Sequence, residues 1–257
     1  MSRMTKTTPT IPIPATTSKP GKNTLCPSDL RERVLLSLDL LDETLGGESL
    51  PADAYSTGEP LDGLLLTLLS QNTNDQNRDR AYESLREAFP TWKAAAAAPV
   101  SAIAKSIRSA GLGETKAARM KDILLIIRAD FGSYSLKAMK RWDPAKARAY
   151  LEALPGIGNK TAACVLVFDL NMSAFPVDTH VGRIARRLGW VPGNWPPEKI
   201  QAFLEETVPP GRCRGGHLNM IEHGRRVCPA RKPKCPVCPL QNVCEFRMRE
   251  LGVVNNA

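Results

Sequence analysis

Apolar residues recur along this chain at steps of three and four, the spacing that lines one face of a helix. Val34, Leu35, Leu38, Leu41 and Leu45 form the first stripe, and Gly46-Gly47 ends it. Pro60 opens the second, with Leu61, Leu64, Leu65, Leu68 and Leu69, a pattern apolar enough for a buried helix. A polar stretch over 70–75 separates it from a helix carrying Ala81, Tyr82, Leu85 and Phe89, which Pro90 stops. Short helices are predicted over 94–98 and around Ile103, Ala104 and Ile107. Gly111-Leu112-Gly113 reads as a loop that exposes its leucine. Ala117, Met120, Ile123, Leu124, Ile127 and Phe131 mark a longer helix. Asp143-Pro144 supplies an N-cap and a first helical residue for the stripe Ala147, Tyr150, Leu151 and Leu154. Further helical patterns follow at Ala162, Val165 and Leu166, over 179–188, over 197–208, and at Leu218, Ile221 and Val227. No alternating strand and no solenoid repeat is found. The reading is an all-α protein of about ten helices.

Composition narrows the function classes. The chain has 257 residues, 42% of them hydrophobic and 24% charged, with a formal net charge of +9. Such an excess favours an anionic partner, nucleic acid before membrane. No apolar run is long enough to span a bilayer, and the N-terminus has no apolar core of the secretory type, so an intracellular protein is expected, nucleoid-associated in the cytoplasm if bacterial. Residues 1–27 hold many Thr, Pro and Lys and no acidic residue, which reads as a disordered basic tail.

The first chemical signal is Leu154-Pro155-Gly156-Ile157-Gly158 at the end of a helix pattern. Gly156 and Gly158 permit a tight turn and close backbone approach, and the helix that follows points its free N–H groups at whatever lies over the turn. A nucleic-acid phosphate suits that position. Lys160 sits in the first turn of the new helix, and Asp178 stands before another. Together they offer a phosphate grip, a nucleophile and a carboxylate partner. Singly, Lys160 reads equally well as a solvated lysine and Asp178 as an N-cap.

The second signal is Cys228-x6-Cys235-x2-Cys238-x5-Cys244. Four thiolates in one compact loop suit a tetrahedral zinc ion or a cubane iron–sulfur cluster, and the spacing does not choose between them. Arg231, Lys232 and Lys234 lie between the first ligands, where they either balance thiolate charge or contact phosphate. Cys26, Cys164 and Cys213 fall outside the pattern and read as ordinary thiols.

LPGIGNKTA, then VDTH, then HGRRVC with these four cysteines, resembles the endonuclease III family of DNA repair glycosylases, from about Asp29 to Phe246. The resemblance implies a two-domain α fold with double-stranded DNA bound in a cleft. It implies a six-helix barrel at 53–172 with a helix–hairpin–helix at 154–162. A second domain would join the N-terminal helix at 28–52 to 173–250 and hold a [4Fe–4S] cluster on Cys228, Cys235, Cys238 and Cys244. The implied activity is removal of oxidised pyrimidines by a monomer, with strand cleavage at the abasic site. By position, Lys160 becomes the nucleophile and Asp178 the catalytic carboxylate. Leu112 matches the family's wedge position. Asn72 stands where endonuclease III has a glutamine that fills the gap left by the flipped base. The related adenine glycosylases lack a lysine at the Lys160 position. The segment from Ala174 to Pro192 also resembles plant 5-methylcytosine glycosylases. The readings this leaves beside the leading one are a monofunctional mismatch glycosylase and a non-catalytic helix–hairpin–helix DNA-binding protein.

Overall fold

The computed structural model describes residues 29–51 and 53–253. The basic tail at 1–27 and Cys26 lie outside the described residues. Among these residues every α and 3₁₀ element is helical and none is a strand. No described helix is long and apolar enough to cross a membrane. The α-helices are α1 (Leu30–Leu45), α2 (Pro60–Ser70), α3 (Asp75–Ala88), α4 (Trp92–Ala97), α5 (Val100–Ser106), α6 (Gly113–Phe131), α7 (Pro144–Ala153), α8 (Asn159–Phe168), α9 (Thr179–Arg187), α10 (Pro197–Thr207), α11 (Cys213–Arg226) and α12 (Glu245–Glu250). The last of these has no counterpart in the hydrophobic pattern, because its six residues bury no side chain.

The chain divides into two compact units. One is Pro51–Pro176, and the other combines the chain up to Leu50 with the chain from Val177 onward. In Pro51–Pro176, α2 and α8 are the inner helices and pack against each other. Leu61, Leu64, Leu65, Leu68 and Leu69 of α2 are all fully buried, as are Ala162, Ala163 and Val165 of α8. Each such leucine contributes about 2 kcal/mol of transfer free energy. Glu59 fixes the entry to α2: Oε1 accepts from Leu61 N and from Leu136 N, and Oε2 accepts from Ser135 Oγ. The packing of α2 on α8 sets the tip of one helix beside the start of the other. The turn after α2 bonds to the hairpin before α8, since Gln71 Nε2 donates to Gly156 O at 3.0 Å and to Thr161 Oγ1 at 3.3 Å.

In the other unit, Val34, Leu38, Leu41 and Leu45 of α1 are buried, and α1 and α9 both pack on α11. α11 admits them closely because it is glycine-rich: a Cβ on Gly215 would meet Glu48, and one on Gly224 would meet His180 at 2.8 Å. Buried Asn219 ties the segment after α1 to α11, donating to Asp42 Oδ1 and accepting from Gly47 N.

Candidate active site

Leu154 ends α7, Gly156 takes φ +74°, Ile157 is buried and Gly158 is the N-cap of α8. Only glycine adopts that φ without strain. Gly158 has no side chain to cap with, so no side-chain oxygen competes for the first N–H groups of α8. Gly156 and Gly158 are both exposed. An anion at this end of the helix meets free donors and the positive end of the dipole. Arg119 of α6 adds a cation: its side chain lies across Gly156 and forms no ion pair with a described carboxylate. Lys160 is half-buried in the first turn of α8, and among the described residues its ammonium has no hydrogen-bond or ion-pair partner.

Among the exposed residues of the same unit with left-handed backbone are Asn72 at φ 53° and Leu112 at φ 50°. Leucine pays a steric cost in that region, about 1–3 kcal/mol, and such strain gathers at functional positions. Leu112 is 61% exposed despite its apolar side chain. The Asn72 side chain makes no hydrogen bond with a described residue. Neither the amide nor the leucine is consumed by the fold.

In the other unit Asp178 is the N-cap of α9. Its Oδ1 accepts from His180 N at 2.9 Å and from Val181 N at 2.8 Å. Both capping bonds fall on one oxygen, and Oδ2 takes none from the described residues. The capping and catalytic readings of this residue are therefore compatible.

The four cysteines line one cavity, whose wall includes Ile184, Leu188 and Leu240. None is in a disulfide. Burial pushes the Cys238 thiol up to about 12, and raises Cys235 and Cys244 too. Thiolates in such a place need a cation to accompany them. Among the described residues no group of three or more His, Cys, Asp or Glu side chains is arranged to hold a metal ion. Around the cavity, Arg187 Nη1 donates to Cys228 Sγ at 3.1 Å and Pro229 O at 2.8 Å, and Arg183 donates to Cys228 O. His223 Nε2 lies 3.6 Å from Cys238 Sγ, and burial beside Arg183 lowers its pKa to about 4, which keeps it neutral. Arg231, Lys232 and Lys234 are exposed on the loop between Cys228 and Cys235, and none forms an ion pair with a described residue.

Sequence reasoning missed Gln71, Lys116, Arg119 and the part played by the α9 arginines. Lys116 carried a signal: it occupies the apolar stripe of α6 with Met120, Ile123 and Ile127, and a lysine on such a stripe needs buried acceptors. Arg183 and Arg187 look like solvated charges in the sequence, yet their guanidinium groups bind carbonyls of the cysteine loop.

Residues 65–210 match the profile of the HhH-GPD superfamily base excision DNA repair proteins. The chain is 35% identical to endonuclease III of Thermotoga maritima over 199 residues, 77% of this chain and 89% of that one. It is 36% identical to Arabidopsis thaliana protein At3g47830 over 190 residues, 70% of this chain, and 37% identical to the Arabidopsis DNA glycosylase/AP lyase ROS1 over 188 residues, 66% of this chain. It spans only 64% of the first of those plant proteins and 14% of the second. Among solved structures, a non-covalent endonuclease III–DNA complex superposes with a TM-score of 0.74 at 25% identity, covering 86% of this chain and 98% of that one. The exposed glycine hairpin, the all-helical architecture and these matches agree: the chain belongs to the HhH-GPD superfamily and is endonuclease III-like in fold.

Proposed function

We propose that this protein is a bifunctional DNA glycosylase that removes oxidised pyrimidines from duplex DNA and cleaves the resulting abasic site. One observation carries the reading: Lys160, with no partner among the described residues, stands one residue into a helix whose N-terminus has no side-chain cap and closes an exposed glycine hairpin. Family membership and the DNA complexes among its solved relatives support DNA as the partner.

A base inside a duplex is out of reach, so the nucleotide must leave the stack. The amides of Gly156 and Gly158, with Arg231, Lys232 and Lys234, grip phosphate without reading sequence. Leu112 enters the stack as a wedge, and Asn72 bonds the base left without a partner. The Lys160 amine then attacks C1′, and the glycosidic electron pair departs with the base, which gains the proton the amine releases. Asp178 stabilises the positive charge on the sugar through its open oxygen and relays that proton. The C1′–O4′ bond then opens, O4′ taking the electron pair and a proton, and the imine so formed makes the C2′ proton acidic; its loss expels the 3′ phosphate, and water then releases Lys160.

Four thiols lining one cavity fit a [4Fe–4S] cluster, with one cysteine to each iron. Cys228, Cys235, Cys238 and Cys244 would hold such a cluster, which would supply iron cations to the buried thiolates and fix the basic loop between the first two of them.

The deciding experiment is borohydride trapping on an abasic duplex. The native protein forms a covalent adduct and nicks the strand; Lys160→Gln does neither but still binds the duplex. A Lys160→Gln protein that is still trapped puts the nucleophile elsewhere. Base release by native protein without any adduct makes it monofunctional.

A further inference from the structure

The ammonium of Lys116 is almost wholly buried, with the residue only 2% exposed. It faces no carboxylate. It donates to Leu69 O at 2.8 Å, Gln71 O at 2.6 Å and Ala110 O at 2.9 Å, with Thr73 Oγ1 at 3.3 Å. The Thr73 hydroxyl in turn donates to Ala110 O. Leu69 and Gln71 are at the carboxyl end of α2, where unsatisfied carbonyls and the negative end of the dipole suit a cation.

What these acceptors have in common is their position in the chain. Gln71 O belongs to the peptide that precedes Asn72, and Ala110 O lies two residues before Leu112. Asn72 and Leu112 are both exposed and both left-handed, at φ 53° and 50°. One buried cation thus spans the two turns that bear them. Gln71 extends the chain of bonds to the hairpin through Gly156 O.

We infer that Lys116 is the positioning residue that holds the wedge and the gap-filling turn at a fixed separation, so that unstacking and filling occur as one event. The inference rests on the roles proposed above for Leu112 and Asn72.

Lys116→Met keeps the length of the side chain and removes the charge. The test compares base excision from duplex with cleavage of a preformed abasic site. It also reads 2-aminopurine fluorescence opposite a tetrahydrofuran abasic analogue, which reports unstacking without catalysis. Excision should fall at least about tenfold and the fluorescence gain should shrink, with abasic cleavage and the salt dependence of binding to undamaged duplex changed less than about threefold, because unsatisfied carbonyls let the turns move apart. Thr73→Val removes one spoke with less risk to folding and should show the same split at smaller size. Equal losses on both substrates, or an unchanged fluorescence gain in a folded Lys116→Met or Thr73→Val protein, overturn the inference. A native protein that unstacks but never cleaves defeats the catalytic reading alone and leaves the role of Lys116 standing.

Discussion

The side chain of Arg119 lies across the α-carbon of Gly156: a Cβ at that position meets Arg119 Cδ at 2.5 Å and Nε at 2.7 Å. The glycine therefore serves the hairpin twice, through its φ of +74° and through the room it leaves for a cation over the turn. If that cation touches phosphate, Arg119→Ala weakens binding to lesion and undamaged duplex alike, and the slope of log affinity against log salt shrinks by about 0.9. Arg119→Lys keeps the slope. A slope unchanged in Arg119→Ala leaves the residue a packing role only. Gly156→Ala should cost about 1–3 kcal/mol in denaturant unfolding, from backbone strain alone.

The two oxygens of Asp178 separate capping from chemistry. Asp178→Asn retains an acceptor for His180 N and Val181 N, so its unfolding midpoint should match the native protein. Its glycosylase rate should fall by about 10²–10⁴, the range for a positioned acid–base group. Asp178→Ala should lose the same activity and also about 1 kcal/mol of stability with the cap. Equal activity in Asp178→Asn and native protein reduces this carboxylate to a cap.

Asp169 at the end of α8 predicts a pH effect on stability. Burial raises its carboxyl from 3.8 to about 6, against the opposing bonds from Thr57 N and Oγ1. The folded state then holds a proton that the unfolded chain has released between about pH 4 and 6. Stability from this group is present below pH 4 and is lost as pH rises through 6, to a total of about 3 kcal/mol. Asp169→Asn keeps an acceptor for both Thr57 donors, so the difference between native and variant should follow that window in urea unfolding. A difference flat from pH 4 to 7 refutes the shift. Gly63→Ala should destabilise at every pH, because a Cβ there would lie 1.9 Å from Asp169 Oδ2.

The cysteine cavity makes a compositional prediction. Purified protein should be yellow-brown and carry iron and sulfide in equal amounts. Cys235→Ser should lose both and unfold more readily, since the loop depends on its ligands. Cys164→Ser, at a buried thiol in the other unit, should keep the colour. Colourless native protein with zinc bound would displace the cluster assignment.

The sequence by itself determined most of the helices, because these announce their faces through apolar spacing and many of their ends through Gly, Pro or Asp. It also determined the hairpin, since Gly156 and Gly158 are read from local backbone needs. The cysteine spacing, with Lys160 and Asp178, was enough to suggest the family. Helix α12 escaped because its six residues bury nothing and so leave no stripe.

Tertiary structure decided where long side chains go. Lys116, Arg183 and Arg187 are charged in the sequence and look solvated there. Among their partners are backbone carbonyls 41 to 47 positions away, such as Leu69 O for Lys116 and Cys228 O for Arg183. A carbonyl has no sequence identity, so no residue pattern marks it as an acceptor. The strained backbone of Asn72 and Leu112 was hidden for a related reason. Left-handed φ at Leu112 is imposed by the surrounding contacts and not by the residue, and asparagine, which tolerates this region, does not require it at Asn72.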